Sequence, residues 1–379
     1  WGSTLPISKM ATTTAVQLTL LKSPLARCLD GSPGGFYLAR NSSSRSWIIE
    51  LQGGGECTSK DSCGEKLKSS LGSSAYFARN ITPGFLSADS KANPRFRTFN
   101  RVLMAYCSQD LWTGRQKNAT ADTFGVLFAG HHILKAALDV LDAEHGLYDA
   151  SDVVLTGESA GAMGVWPHLN WLAQRYFKAS VVGVVIAGFY FYAYPYTGPG
   201  HTSSHLADFS EQAWPAHAKL WDSFVDFECA ASLGAWPCML ANNSAPYVRP
   251  RVFIVQAQSD RIVLTDHDWV PRRRVSRLDN LSKPVLAYLQ AWRRNLSVAL
   301  APSMRRDSPN GVFSAACFIH TEFLPSAPRI RGHTYLDSVQ SWYFGDTRTP
   351  SKLQDDCGVL CNPTCPPKND NHEVLVRSA

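Results

Sequence analysis

The sequence predicts an α/β protein with a mostly parallel central sheet and helices on both faces. Three observations predict it. Short apolar, β-branched runs alternate with segments of helical spacing up to about residue 256. One such run leads straight into Gly157-Glu158-Ser159-Ala160-Gly161, after which helical spacing begins. Another enters the triple glycine Gly53-Gly54-Gly55.

The elements follow in order. Residues 16–21 alternate as a strand should, and a second strand starts at 34–38 after a Gly/Pro turn. Residues 47–51 form a buried strand ending in the glycine loop, and 102–106 form another. Residues 124–141 carry apolar side chains at helical spacing, ending near Gly146. A strand at 153–156 precedes a helix at 160–177, and 181–186 and 252–256 complete the strand series. Residues 194–250, rich in Trp, Pro and His with weak periodicity, are expected to be an insertion near the sheet's carboxyl edge. A loose leader over 1–15 and a tail over 367–379 leave 16–366 as a single domain, a size that α/β folds reach without dividing.

Composition narrows the class. Hydrophobic residues make up 45% and charged residues 18%, which supports a large core and excludes bulk disorder. The net charge of +6 is mild. Arg272-Arg273-Arg274 and Arg305-Arg306 lack interleaved aromatics, so they are expected to form a solvated basic face suited to an acidic polymer, with no nucleic-acid partner. No apolar run approaches the roughly 18 residues that a membrane span needs. Sequons stand at Asn41, Asn80, Asn118, Asn242, Asn280 and Asn295, whereas Asn362 is followed by proline. Six sequons beside ten cysteines predict a secreted, disulfide-bonded glycoprotein. The chain opens at Trp1 and is expected to be a processed form. The oligomeric state is left open.

Chemistry enters at Ser159. A strand–turn–helix around G-x-S-x-G strains the serine so that its Oγ projects above the sheet, and the Ala160 amide then faces a developing oxyanion. Consecutive glycines let backbone N–H groups approach a substrate oxygen closely, so Gly54 and Gly55 are expected to supply the other donors. Such a fold presents its acid and base in the order Ser, Asp, His. Asp260 follows the strand at 252–256, with Asp266 and Asp268 as competitors. The histidines beyond it are His267, His320, His333 and His372, and residue spacing places His320 ahead of His333 without excluding it.

These residues bring a family into view. From Cys28 to about Cys365 the chain resembles the pectin acetylesterases and the related carboxylesterase Notum. The resemblance is carried by Cys28-Leu-Asp-Gly-Ser-Pro-Gly-Gly, Leu51-Gln-Gly-Gly-Gly-Glu-Cys57, Tyr106-Cys-Ser-Gln-Asp-Leu-Trp-Thr-Gly114, Gly157-Glu-Ser-Ala-Gly161, Cys317-Phe-Ile-His320 and Cys357-Gly-Val-Leu-Cys361-Asn-Pro-Thr-Cys365. It implies an α/β-hydrolase-like fold and a Ser159–His320–Asp260 triad acting on an ester. It also implies no cofactor, and His320 rather than His333 as the base. It further implies disulfides Cys57–Cys63, Cys229–Cys238 and Cys28–Cys107, with Cys317, Cys357, Cys361 and Cys365 pairing among themselves. The alternative for that last group, a zinc site, lacks a histidine at ligand spacing, so no metal is expected.

The chain departs from the family pattern at Gln52, Ala162, Asn170, Ile186 and Tyr192, which bears on the pockets more than on the triad. The resemblance favours an O-acetyl ester of a cell-wall or extracellular polysaccharide. A longer fatty acyl ester is the alternative, and Phe189, Tyr190, Phe191, Tyr192 and Tyr194 could line the apolar pocket it needs. A glycan-binding protein without catalysis is a third reading.

Overall fold

The computed structural model describes residues 16–79, 89–90, 93–201, 213–271 and 281–366. The leader, the tail, Asn80, Asn280, Arg272 to Arg274 and His372 lie outside the described residues. Among the described residues nine strands form one sheet: β1 (Gln17–Leu20), β2 (Gly35–Ala39), β3 (Ser46–Leu51), β4 (Asn100–Met104), β5 (Asp152–Glu158), β6 (Ser180–Ile186), β7 (Val252–Val255), β8 (Gly311–Ser314) and β9 (Lys352–Gln354). Their order is β1-β2-β4-β3-β5-β6-β7-β8-β9. The pairs β1–β2 and β2–β4 are antiparallel, and all later pairs are parallel.

The helices are α1 (Lys60–Lys66), α2 (Gly130–His145), α3 (Ala160–Arg175), α4 (Trp214–Trp221), α5 (Phe227–Leu233), α6 (Ala241–Ser244), α7 (Lys283–Met304) and α8 (Tyr335–Phe344). Strand side chains alternate between faces, so consecutive residues enter different cores. Ile49, Leu51, Val153, Leu155 and Ile254 pack with Leu138 of α2, Leu169 of α3 and Leu296 of α7. Ile48, Val154, Val184 and Phe253 pack on the other face with Leu336, Val339 and Trp342 of α8. A sheet covered twice needs apolar side chains in both registers, which is why β5 and β6 read as continuous apolar runs.

The structure differs from the sequence reading at several element ends and beyond residue 256. The helix expected over 124–141 runs from Gly130 to His145. Phe124 and Gly125 sit at φ 57° and 78° in a turn, and the Asp110 carboxylate accepts the Gly130 N–H at 2.8 Å. Its C-terminus is where the glycine placed it, at Gly146 in the left-handed region. The helix expected over 160–177 ends at Arg175. Beyond residue 256, β8, β9 and α7 are additions. The α7 pattern of Val285, Leu289, Trp292, Leu296 and Leu300 is one buried helical stripe. The described residues of the expected insertion at 194–250 contain α4, α5 and α6, packed against the rest of the fold. Trp221 Nε1 donates to the Cys57 carbonyl at 3.2 Å, and Phe224 N donates to the Thr113 carbonyl at 2.7 Å.

Five disulfides cross-link the fold: Cys28–Cys107, Cys57–Cys63, Cys229–Cys238, Cys317–Cys365 and Cys357–Cys361. Among the described residues no helix is long and apolar enough to cross a membrane. No cluster of three or more His, Cys, Asp or Glu side chains there is arranged for a metal ion.

Candidate active site

Ser159 stands between β5 and α3 at φ 53°, ψ −124°, a conformation that costs on the order of 1–3 kcal/mol for a residue other than glycine. The crossing is possible because Gly157 and Gly161, two residues to either side, have no side chains. A Cβ on Gly161 would lie 1.8 Å from the Leu51 carbonyl oxygen, and one on Gly157 would lie 2.4 Å from the Gly161 carbonyl carbon. The turn is held on its other side by Ser159 N donating to the Ile186 carbonyl at 2.9 Å.

Three elements distant in sequence converge on the serine. His320, in the loop after β8, has Nε2 2.8 Å from Ser159 Oγ. Its Nδ1 lies 2.9 Å from both carboxylate oxygens of Asp260, in the loop after β7. His320 is 6% exposed and Asp260 is fully buried. Asp260 Oδ1 also accepts the Ile262 and Val263 N–H groups at 3.1 Å, and Oδ2 accepts Gln256 Nε2 at 2.9 Å. An acid oxygen on Nδ1 fixes the tautomer that leaves Nε2 free to accept from Ser159. Burial by itself would lower the His320 pKa. The Asp260 charge and hydrogen bond outweigh it, and the net shift is upward from 6.5.

The other acids and histidines are placed elsewhere. Asp266 bonds Thr265, and Asp268 Oδ2 accepts Trp292 Nε1 at 2.9 Å. His267 Nδ1 is 3.9 Å from Glu56 Oε1, with both side chains buried. His333 pairs with Ile330 in a short bridge. The Cys317–Cys365 disulfide anchors the loop that carries His320.

Beside Ser159 runs the glycine loop. A Cβ on Gly53 would be 2.6 Å from the Glu158 carbonyl oxygen and 3.2 Å from Ser159 Cβ, so loop and turn are in contact. Gly54 and Gly55 have φ 152° and 75°. Gln109 Nε2 donates to the Gly54 carbonyl at 3.3 Å, and Tyr106 Oη donates to the Gly55 carbonyl at 2.9 Å. Carbonyl and N–H of one trans peptide point in opposite directions, so fixing the Gly54 carbonyl also fixes the Gly55 N–H on the far side. Ala160 N lies in the first turn of α3, where helical N–H groups have no partner within the helix.

Several residues here were not found from sequence. Glu322 Oε2 accepts the His320 backbone N–H at 2.6 Å, and Arg261 bonds its other oxygen at 2.9 Å. Two more carboxyls, Glu50 of β3 and Glu158 of β5, occupy adjoining strands behind the serine. Burial first, and the Glu158 charge second, push Glu50 up to about 8, while burial also raises Glu158. Glu158 lies inside the serine turn as one of its variable positions, and the others carry no local motif.

The departures from the family pattern have structural employment. Gln52 Oε1 accepts Tyr106 N at 3.0 Å, and Asn170 bonds Asp226, Tyr247 and Arg249. Ala162 packs on Gly188, where a Cβ would fall 2.3 Å from the Ala162 Cβ. Ile186 supplies the carbonyl that holds Ser159, and Tyr192 packs near Trp236. Phe189, Tyr190 and Phe191 are buried at 2–6% exposure, whereas Tyr194 is 86% exposed. Asn118 and Asn295 are exposed, Asn41 and Asn242 half-buried.

A parallel-centred sheet with a hydrogen-bonded Ser, His and Asp at its carboxyl edge defines an α/β-hydrolase-like protein. Residues 9–366 match the family described as Pectinacetylesterase, and the chain belongs to that family of carboxylic-ester hydrolases. It is 29% identical over 360 residues to Pectin acetylesterase 5 of Arabidopsis thaliana, covering 90% of this chain and 82% of that protein. It is 26% identical to Palmitoleoyl-protein carboxylesterase notum2 of Xenopus laevis, covering 93% and 74% respectively. The solved structure of the Wnt deacylase Notum from Drosophila superposes with a TM-score of 0.78 at 25% identity, covering 93% of this chain and all of that one.

Proposed function

We propose that this protein is a secreted serine carboxylesterase removing O-acetyl groups from an extracellular polysaccharide. The observation that carries the reading is the continuous hydrogen-bonded line from Ser159 Oγ through His320 to Asp260. His320 Nε2 takes the Ser159 proton as Oγ attacks the acyl carbon. The Gly54, Gly55 and Ala160 amides hold the oxygen that becomes negative. His320 then protonates the departing sugar hydroxyl, and the acyl group stays on Ser159. Water gives its proton to His320 and its oxygen to the acyl carbon. The bond to Oγ breaks, Oγ regains a proton, and acetate leaves. Asp260 orients the imidazole and stabilises its cation throughout, without being protonated itself.

Secretion and glycosylation are supported by five disulfides and by exposed Asn118 and Asn295. The single sheet supports residues 16–366 as one esterase domain. A small acyl group is supported by the packing beside Ser159. Phe189 and Phe191 are spent on core contacts with Trp166 and Trp292, and Tyr190, which bonds the Ser159 side chain, also meets the charge of Glu56. The second reading, a longer acyl chain, is favoured by the likeness to palmitoleoyl-protein carboxylesterases.

Acetate release from acetylated pectin and xylan, compared with hydrolysis of two-carbon and eight-carbon nitrophenyl esters, separates the two. We expect the acetyl substrates to be preferred. Preference for the longer chain overturns the acetylesterase reading. A folded protein whose Ser159 takes no fluorophosphonate label, and which cleaves no ester, is a binding protein instead. Ser159→Ala is expected to abolish labelling and leave only the modest residual rate of binding and oxyanion donors, on the order of 10^3-fold over water.

A further inference from the structure

We propose that Gln256 is a positioning residue that couples the backbone segment after β6 to the catalytic acid. The inference rests on the esterase reading above. Gln256 follows β7, its side chain is fully buried, and its amide makes two bonds. Nε2 donates to Asp260 Oδ2 at 2.9 Å, and Oε1 accepts the Phe189 backbone N–H at 2.9 Å. The partners fix which way the amide faces. A carboxylate can only accept and a peptide N–H can only donate, so the flipped amide would place like beside like at both ends.

The consequence lies in what Phe189 belongs to. Residues 186–191 leave β6 and pass beside Ser159. The Ile186 carbonyl holds Ser159 N at 2.9 Å, Ala187 N donates to the Val255 carbonyl at 2.8 Å, and the Tyr190 carbonyl accepts Asn242 N at 3.2 Å. One short segment therefore touches the nucleophile directly and the acid through Gln256. A shift of this segment that lengthens the Phe189–Gln256 bond lets the Gln256 amide turn away from Asp260, so the carboxylate that orients His320 is itself less firmly oriented. The effect falls on turnover rather than on binding, because Gln256 acts on the Asp260 carboxylate and not on the substrate.

Three proteins test this: the wild type, Gln256→Met and Gln256→Glu. The measurements are kcat and KM for an acetyl ester across pH, fluorophosphonate labelling, and thermal melting to establish that each variant folds. Gln256→Met removes both bonds at similar volume. Its kcat should fall about 10- to 100-fold with KM changed less than about threefold. Asp260, with one donor fewer, then holds the His320 cation more strongly, so the acid limb of kcat/KM moves to higher pH. Gln256→Glu keeps the acceptor for Phe189 and sets a second carboxyl against Asp260. Two such groups share one proton, which restores the donor until rising pH removes it. That variant should gain an alkaline limb that the wild type lacks, which a merely structural role does not produce. A folded Gln256→Met with kcat within about twofold of wild type and an unmoved acid limb overturns the inference and leaves the esterase reading intact. A wild type that neither labels nor cleaves any ester overturns both.

Discussion

On the mechanism proposed above, Ser159 has no base when His320 is protonated. Burial alone would make that imidazole easy to deprotonate, but the Asp260 carboxylate on Nδ1 reverses the shift and holds the pKa above 6.5. The acid limb of kcat/KM should therefore turn at a pH above 6.5, with activity falling as pH drops through it. Asp260→Asn removes the contribution that raises the pKa and leaves burial. Its limb should move down while kcat falls by about 10^4-fold, as expected when the tautomer is wrong. A pH–rate series on both proteins checks this, and a wild-type limb well below 6.5 contradicts it. The same shift has a cost in stability. A histidine whose folded pKa is raised stabilises the fold fully below the unfolded value of about 6.5. That contribution is lost as pH rises through the folded pKa, which is where the base becomes competent.

At the scale of elements, the site depends on how closely β3, its glycine loop and α3 approach. Gly161 is the tightest point, since the Leu51 carbonyl lies where its Cβ would go. Backbone cannot move aside as a side-chain tip can, so Gly161→Ala should cost about 3 kcal/mol or more and displace Ser159. Gly64 in α1 is the control. Nothing lies within 4 Å of its would-be Cβ, and alanine there should stabilise by roughly 0.5–1 kcal/mol. Denaturant unfolding and labelling of both variants test the contrast. An unperturbed Gly161→Ala would mean that strand and helix are less closely held than the contact requires. The glycine spacing was legible in the sequence as a nucleophile turn, yet the partner pressing on Gly161, Leu51, is 110 positions away. Only the β3–β5 pairing of Leu51 with Gly157 brings it there.

The whole molecule carries a pH dependence of opposite sign to that of His320. His131 of α2 and His168 of α3 are buried against Phe224, with Nδ1 of His131 3.0 Å from Nε2 of His168. His168 Nδ1 donates to the Gly164 carbonyl at 2.7 Å, so its Nε2 is the acceptor and both rings are neutral. Burial lowers both, His168 to about 4 and His131 further. The unfolded chain binds protons at these positions below about 6.5 and the folded chain does not. Stability should therefore fall as pH drops from 6.5 toward 4, by on the order of 3 kcal/mol from His168 alone. Melting temperatures across that range measure it, and His168→Gln should flatten the slope. A wild-type slope that is already flat contradicts the account.

Residue type and spacing alone establish the parallel α/β pattern, the strained turn at Ser159, the glycine loop, and an acid after the strand at 252–256. Each is a local device, written in consecutive residues because its geometry is local. The choice of His320 over His333 needed either a family likeness or the fold. His320 lies 161 residues from Ser159, and its place depends on β8, a four-residue strand too short for periodicity to announce. Gln256, Glu322 and Arg261 were silent in the sequence for the same reason. Buried hydrogen-bond partners are chosen by which strand ends the sheet order sets side by side, and that order is a property of the packed core. The strained turn at Ser159 is thus written in consecutive residues, while tertiary structure alone brings His320, Asp260 and the side chains that hold them to it.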